Sequence, residues 1–127
     1  DAAKRMHRLT DVPDAAKEWL VHHAHVLAYP SHNEGFGFPI LAAQRAGTAV
    51  VASSAGSIPE VAGSAALFSA PGDAHALAAN LHWVLTSERQ RTKLVELGRR
   101  NVERFSWHDM ATSLDTLYRQ LAERGSS

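Results

Sequence analysis

The chain has 127 residues, enough for one domain with a real hydrophobic core. Its 13 basic and 13 acidic side chains cancel, which excludes the basic field expected of a nucleic-acid or membrane-surface binder. The absence of cysteine excludes disulfides and thiolate chemistry and fits a reducing cytoplasm; no apolar run nears the roughly 20 residues of a membrane span, and no signal peptide is visible.

Residues 1–5 are polar and start at Asp1, as expected of a segment cut from something longer. A weak first strand is expected at Arg8-Leu9. Pro13 is placed to open a helix through about residue 23, with Ala16, Trp19 and Leu20 on one face. Residues 25–29 read as a strand and residues 38–46 as a helix that Gly47 ends. Residues 48–52 are a continuous β-branched and small apolar run, as in a strand buried on both faces. Ser57-Ile58-Pro59-Glu60 has capping-box spacing and predicts a short helix; residues 66–68 read as the last strand. Asp73 is a helix N-cap for a segment to about residue 85. Ser87-Glu88-Arg89-Gln90 opens a helix to about residue 104, which Gly98 weakens by about 1 kcal/mol relative to alanine. Ser106 caps a last helix with Leu114, Leu117, Tyr118 and Leu121 at helical spacing, and residues 123–127 are expected to fray.

Strands alternating with helices predict βαβ units and a parallel sheet over one domain, residues 1–127. The expected fold is α/β, a partial Rossmann-like sheet of about four strands where a complete doubly wound domain has about six. Ligands of such sheets sit outside the carboxyl ends of the strands. Two loops occupy that edge, residues 30–38 and 53–60, and both carry glycine and a carboxylate. They are expected to converge.

The first loop, Pro30-Ser31-His32-Asn33-Glu34-Gly35-Phe36-Gly37-Phe38, is the most informative stretch. A glycine-rich turn into a helix N-terminus presents backbone N–H groups to an anion such as phosphate. A carboxylate there repels phosphate but suits hydroxyl groups, so a sugar beside a phosphate is the natural ligand. The plain readings of the neighbouring residues are structural. Gly35 and Gly37 supply positive φ; Phe38 belongs in the core; Glu60 caps a helix; Asp109 favours a helix dipole. His22 and His25 could share a helix face, yet no third metal ligand accompanies them. No base motif makes Ser31 a nucleophile. Glu88, Arg89, Arg91, Lys93, Arg99 and Arg100 form a solvated helix face that needs no partner.

Glu34-Gly35-Phe36-Gly37-Phe38-Pro39-Ile40-Leu41, then Ala46-Gly47-Thr48-Ala49-Val50-Val51-Ala52-Ser53, then Gly56-Ser57-Ile58-Pro59-Glu60-Val61 resemble the C-terminal domain of glycosyltransferase family 4. Residues 26–31 resemble the strand into its signature loop, and Pro71-Gly72-Asp73 and Arg104-Phe105-Ser106-Trp107 resemble its tail. The resemblance implies the C-terminal half of a GT-B donor-binding domain in a retaining, cytoplasmic enzyme. Such an enzyme moves a hexose from a nucleotide diphosphate sugar to a hydroxyl acceptor and usually has no bound metal or other cofactor. It implies that Glu34 is the catalytic-site residue and contacts donor-sugar hydroxyls. Ser31, Gly35, Phe36 and Gly37 then line the sugar and diphosphate, and Ile40 and Leu41 bring backbone N–H groups to phosphate and nucleoside. The family's second glutamate, a ribose ligand, falls at Ala42, which cannot accept a hydrogen bond. The family's basic diphosphate ligands and acceptor domain lie in regions this sequence does not contain, so the chain alone is expected to be inactive. The alternatives are a non-catalytic module that self-associates through an exposed sheet edge, and another GT-B activity such as an epimerase or a phosphorylase.

Overall fold

A computed structural model of the chain describes residues 2–125. After a 3-10 turn at Ala2–Arg5, the elements in order are α1 (Asp14–His23), β1 (Val26–Tyr29), α2 (Phe38–Ala46), β2 (Ala49–Ser53), α3 (Ile58–Ala62), β3 (Leu67–Ser69), α4 (Ala74–Thr86), α5 (Glu88–Val102) and α6 (Trp107–Gly125). The strands form one parallel sheet in the order β1-β2-β3, with Tyr29 opposite Ala52 and Ser53 opposite Ser69. All three loops that leave the carboxyl ends of these strands therefore open on one edge.

β2 is the central strand, and every one of its residues is buried. Its side chains alternate between two packed layers, as strand geometry requires. Val50 and Ala52 pack with Ile40 and Ala43 of α2 and with Ile58 and Ala62 of α3. Ala49 and Val51 pack with Val84 of α4 and Leu94 of α5. The many alanines in the first layer let the helices approach the sheet closely.

α2 follows the 3.6 period strictly. Ile40, Leu41, Ala43 and Gln44 are buried, whereas Phe38, Ala42 and Arg45 lie on the opposite, exposed face. This corrects the core placement of Phe38, which is 61% exposed. The helix is bounded by Gly37 (φ +92°) and Gly47 (φ +79°), both left-handed. Pro39 is tolerated in its first turn, where an N–H has no intrahelical acceptor.

A polar network of three side chains ties α2 to α3 and α5. The Gln44 amide donates to Ala62 O at 3.1 Å. Asn101 Nδ2 donates to Gln44 Oε1 at 2.7 Å and to Val61 O at 2.8 Å. Arg104 Nε donates to Asn101 Oδ1 at 2.9 Å, and its Nη2 donates to Glu60 O at 2.9 Å. Buried side-chain amides are tolerated because each finds partners. Gly98 belongs to this contact, since a Cβ there would lie 3.0 Å from Gln44 Cγ. The helix-weakening glycine is thus a packing residue between α2 and α5.

Several expectations are corrected. Arg8 and Leu9 pair with no strand, Leu9 is 58% exposed, and the sheet has three strands among the described residues. Ser57 makes no side-chain cap on α3, and Glu60 makes no reciprocal cap; the Ser57 hydroxyl points elsewhere. Asp73 and Ser87 do cap α4 and α5, accepting from the amides of Ala76 and Gln90. Arg91, expected to be solvated, donates to Val84 O at 3.1 Å. Trp19 and Leu20 of α1 are exposed, and only Val21 of that helix packs on the core. Leu114, Leu117, Tyr118 and Leu121 form an exposed apolar stripe on α6. That helix continues through Gly125; residues 126–127, part of the segment expected to fray, lie outside the described residues.

Candidate functional site

The loop from β1 to α2, residues 30–37, is held at three levels. At its base, the Ser53 hydroxyl at the end of β2 donates to the Ser31 carbonyl. In its middle, the second loop grips the backbone of Glu34. Ser57 Oγ donates to Glu34 O at 3.1 Å and to Phe36 O at 3.2 Å, and the Ser57 amide reaches Glu34 O at 3.4 Å. Gly56 makes this approach possible: at φ +52°, a Cβ on it would sit 2.6 Å from Glu34 O. The two loops converge as the topology required.

At the third level the Glu34 side chain itself is fixed. Tyr29 Oη donates to Glu34 Oε1 at 2.7 Å, and Ser31 Oγ lies 3.0 Å from the same oxygen. Ser31 Oγ also lies 3.0 Å from Asn33 O, so its one proton is divided between two acceptors. Neither side-chain bond goes to Oε2. The carboxylate is half-buried, with one oxygen tied to the protein and the other without a hydrogen bond from the described residues and not fully buried. Burial, followed by the hydrogen bond and then the charge of Glu34, pushes the Tyr29 phenol up to about 12. The phenol therefore stays a proton donor throughout the neutral range.

The two loop glycines differ. Gly37 is buried and its φ of +92° demands glycine. Gly35 is exposed, has no positive φ, and a Cβ on it would meet nothing within 4 Å. The expectation that both serve turn geometry holds for Gly37 and fails for Gly35, whose missing side chain leaves open space beside Glu34. Phe36 packs against Phe38 at 4.6 Å and meets Phe105 edge-on at 5.9 Å, with Arg104 over the Phe105 ring. The Ile40 amide donates to Gly37 O at 3.0 Å, and the side chains of Ile40 and Leu41 are core. Ala42 is exposed on the outer face of α2, one turn beyond Phe38.

A crevice of about 230 Å³ lies along the same edge, lined by Pro30, His32, Ser53, Ser69 and Asp73. A larger hollow, about 780 Å³, is a shallow charged groove over Trp83, Glu88 and Lys93 and includes no residue of the Glu34 loop. Convergent bonding, rather than hollow size, marks the site. Of the two histidines weighed as metal ligands, His22 faces Glu18 at 3.9 Å, and His25 lies beyond the end of α1, so the two share no helix face.

Residues 2–101 match the profile of the family described as glycosyl transferases group 1. The chain belongs to that family. It is 36% identical over 110 residues to the O-antigen chain mannosyltransferase B of Escherichia coli, which covers 87% of this chain and 29% of that protein. It is 36% identical over 123 residues to the MMP alpha-(1→4)-mannosyltransferase of Mycolicibacterium hassiacum, covering 94% of this chain and 30% of that one. Its fold matches sucrose-phosphate synthase from Thermosynechococcus elongatus with a TM-score of 0.72 and 33% identity, over 80% of this chain and 26% of the other. The parallel sheet with helices on both faces is accordingly part of a GT-B fold. As a group 1 glycosyl transferase sequence, the chain spans about 30% of the length of these two curated relatives.

Tyr29, Gly56, Ser57 and Phe105 are the site residues that sequence reasoning missed. Tyr29 carried a signal in principle, because a half-buried phenol requires a hydrogen-bond partner and Glu34 follows it by five residues. The grip of Gly56 and Ser57 spans more than 20 positions and leaves no local pattern.

Proposed function

We propose that this chain supplies the sugar-binding part of the donor site in a retaining glycosyltransferase, which moves a hexose from a nucleotide diphosphate sugar to a hydroxyl acceptor. The carrying observation is Glu34: its backbone is clamped by Gly56 and Ser57, one carboxylate oxygen is fixed by Tyr29 and Ser31, the other takes no hydrogen bond from the described residues, and the adjoining Gly35 has open space where a side chain would stand. A pre-placed carboxylate acceptor suits sugar hydroxyls and repels phosphate, so the diphosphate belongs toward the glycines and the N-terminus of α2. In this reading Glu34 holds the donor sugar. Ser31, Gly35, Phe36 and Gly37 shape the pocket around it, and Ile40 and Leu41 set the helix end below the phosphates. The helix end and cations supplied elsewhere in the protein hold the diphosphate without a metal. In this reading the chain by itself, about 30% of the length of its curated relatives, has no transferase activity.

Ala42 favours a second reading, a domain that keeps the architecture and has lost donor binding. It stands exposed where the resemblance expects a ribose-binding glutamate. Saturation-transfer NMR on the complete protein with a panel of nucleotide sugars separates the two. Binding of at least one donor through its sugar protons is the expected result, and failure of every donor overturns the transferase reading. Ala42→Glu should then tighten donor binding by about 10- to 100-fold, the effect of an added hydrogen bond to a charged acceptor.

A further inference from the structure

Tyr29 lies at the last position of β1, opposite Ala52 of β2, and its ring packs against the core layer that contains Ile40 and Val50. Its Cε1 lies 4.0 Å from where a Cβ on Gly37 would stand. The ring is therefore fixed by the sheet below and by the loop glycine beside it. Glu34, by contrast, is a long side chain on a loop and has much rotamer freedom to lose. Two hydroxyls reach it, but only one is committed. The Tyr29 bond is the shorter, at 2.7 Å, and the phenol proton has no other acceptor among the described residues. The Ser31 proton is divided between Glu34 and the Asn33 carbonyl.

We infer that Tyr29 is a positioning residue: it pins Glu34 Oε1 to the sheet and thereby presets Oε2 to receive a hydroxyl of the donor sugar. This rests on the donor-site reading above and adds the group that orients its carboxylate. The gain is pre-organisation, because ordering of the glutamate is completed on folding instead of on binding. Tyr29 touches no substrate in this scheme, and its effect passes through Glu34 alone.

The test uses the complete protein, Tyr29→Phe, Glu34→Gln and the double variant, with the nucleotide sugar that binds best and the matching nucleoside diphosphate. Tyr29→Phe keeps the ring and its packing, so the fold is retained. It is expected to weaken nucleotide-sugar binding by up to about tenfold, because the freed glutamate side chain must then be ordered on binding. Binding of the nucleoside diphosphate, which has no sugar, should stay unchanged. In the Glu34→Gln background the same change should have little further effect. Equal losses for both ligands, or additive effects of the two substitutions, would show a structural role and overturn the inference. Unchanged sugar binding in Tyr29→Phe overturns it too, with the donor-site reading intact. Failure of the wild type to bind any nucleotide sugar sinks both. One readout needs no ligand: the Tyr29 phenolate, followed as the difference in absorbance between each protein and its Tyr29→Phe counterpart, should form at lower pH in Glu34→Gln than in the wild type, and an unmoved titration rules the coupling out.

Discussion

The segments at residues 30–37 and 54–60, the second running into the first turn of α3, look alike in sequence, each with glycine and one glutamate, yet the structure gives them opposite tasks. In the first, the Glu34 carboxylate is half-buried and held by two hydroxyls. In the second, the Glu60 side chain is exposed, and its backbone carbonyl is what the structure uses, as an acceptor for Arg104. The first loop presents a side chain to the outside, and the second presents backbone and a hydroxyl to the first. Glycine chemistry divides the same way. Gly56 is needed because another backbone occupies the space of its side chain, whereas nothing in the protein occupies the space beside Gly35. A carboxylate near a glycine is thus weak information until its bonding is known.

The sharpest way to break this division is Gly56→Ala. The new Cβ would meet Glu34 O at 2.6 Å, a backbone atom that cannot swing aside, in a conformation that already disfavours a side chain. Overpacking of this kind costs about 1–3 kcal/mol, read by urea denaturation. Donor binding should fall further than that loss explains, because the strain is delivered at the Glu34 backbone.

Glu34→Gln and Glu60→Gln come next, as a pair. The first should weaken donor binding by about 10- to 100-fold, since a hydrogen bond to a charged acceptor is worth about 1.5–3 kcal/mol. The second should leave binding unchanged and stability within about 0.5 kcal/mol, as for an exposed substitution. Titration calorimetry with the bound donor checks both; equal effects would erase the distinction between the loops.

Much of this architecture is legible in the residues. α2 matches its expected bounds because Gly37, Pro39 and Gly47 punctuate it, and the continuous apolar run at β2 gives a strand buried on both faces. Convergence of the two loops follows from parallel topology alone. What was hidden depends on distant partners. Gln44 and Asn101 are 57 positions apart, so neither their bond nor the reason for Gly98 leaves a periodic trace. Ser57 has perfect capping-box spacing, yet its hydroxyl serves two carbonyls of the other loop, a tertiary contact that outcompetes the local one. The hydrophobicity of Phe38 suggests a core position, yet the helical period that buries Ile40 and Leu41 points position 38 outward.

Gly35→Ala tests the other half of the glycine contrast. With no positive φ and no neighbour within 4 Å, an alanine methyl costs the fold nothing. It should leave stability unchanged or raise it by about 0.4–1 kcal/mol, through a less flexible unfolded chain. Donor binding should nevertheless weaken by about tenfold, because the methyl enters space kept for the sugar. A variant that is more stable and binds worse would identify Gly35 as a ligand-facing glycine. Unchanged binding would return it to the plain loop.

The smallest expected effect is a pH dependence confined to the alkaline side. The Tyr29 phenol is raised from 10.0 to about 12, first by burial and then by the bond and charge of Glu34. The folded protein therefore retains a proton that the unfolded chain has begun to lose. The sign follows from linkage: where the native state binds more protons, stability falls as pH rises. The contribution of this group is fully present below about pH 10 and is lost as pH climbs through about 12. Tyr29→Phe has no phenol to ionise, so the difference in stability between wild type and variant should be flat below pH 10 and should shrink between pH 10 and 12. Denaturant midpoints taken across that interval measure it. A difference that stays constant through pH 12 would mean that the phenol is neither buried nor bonded to Glu34 as described.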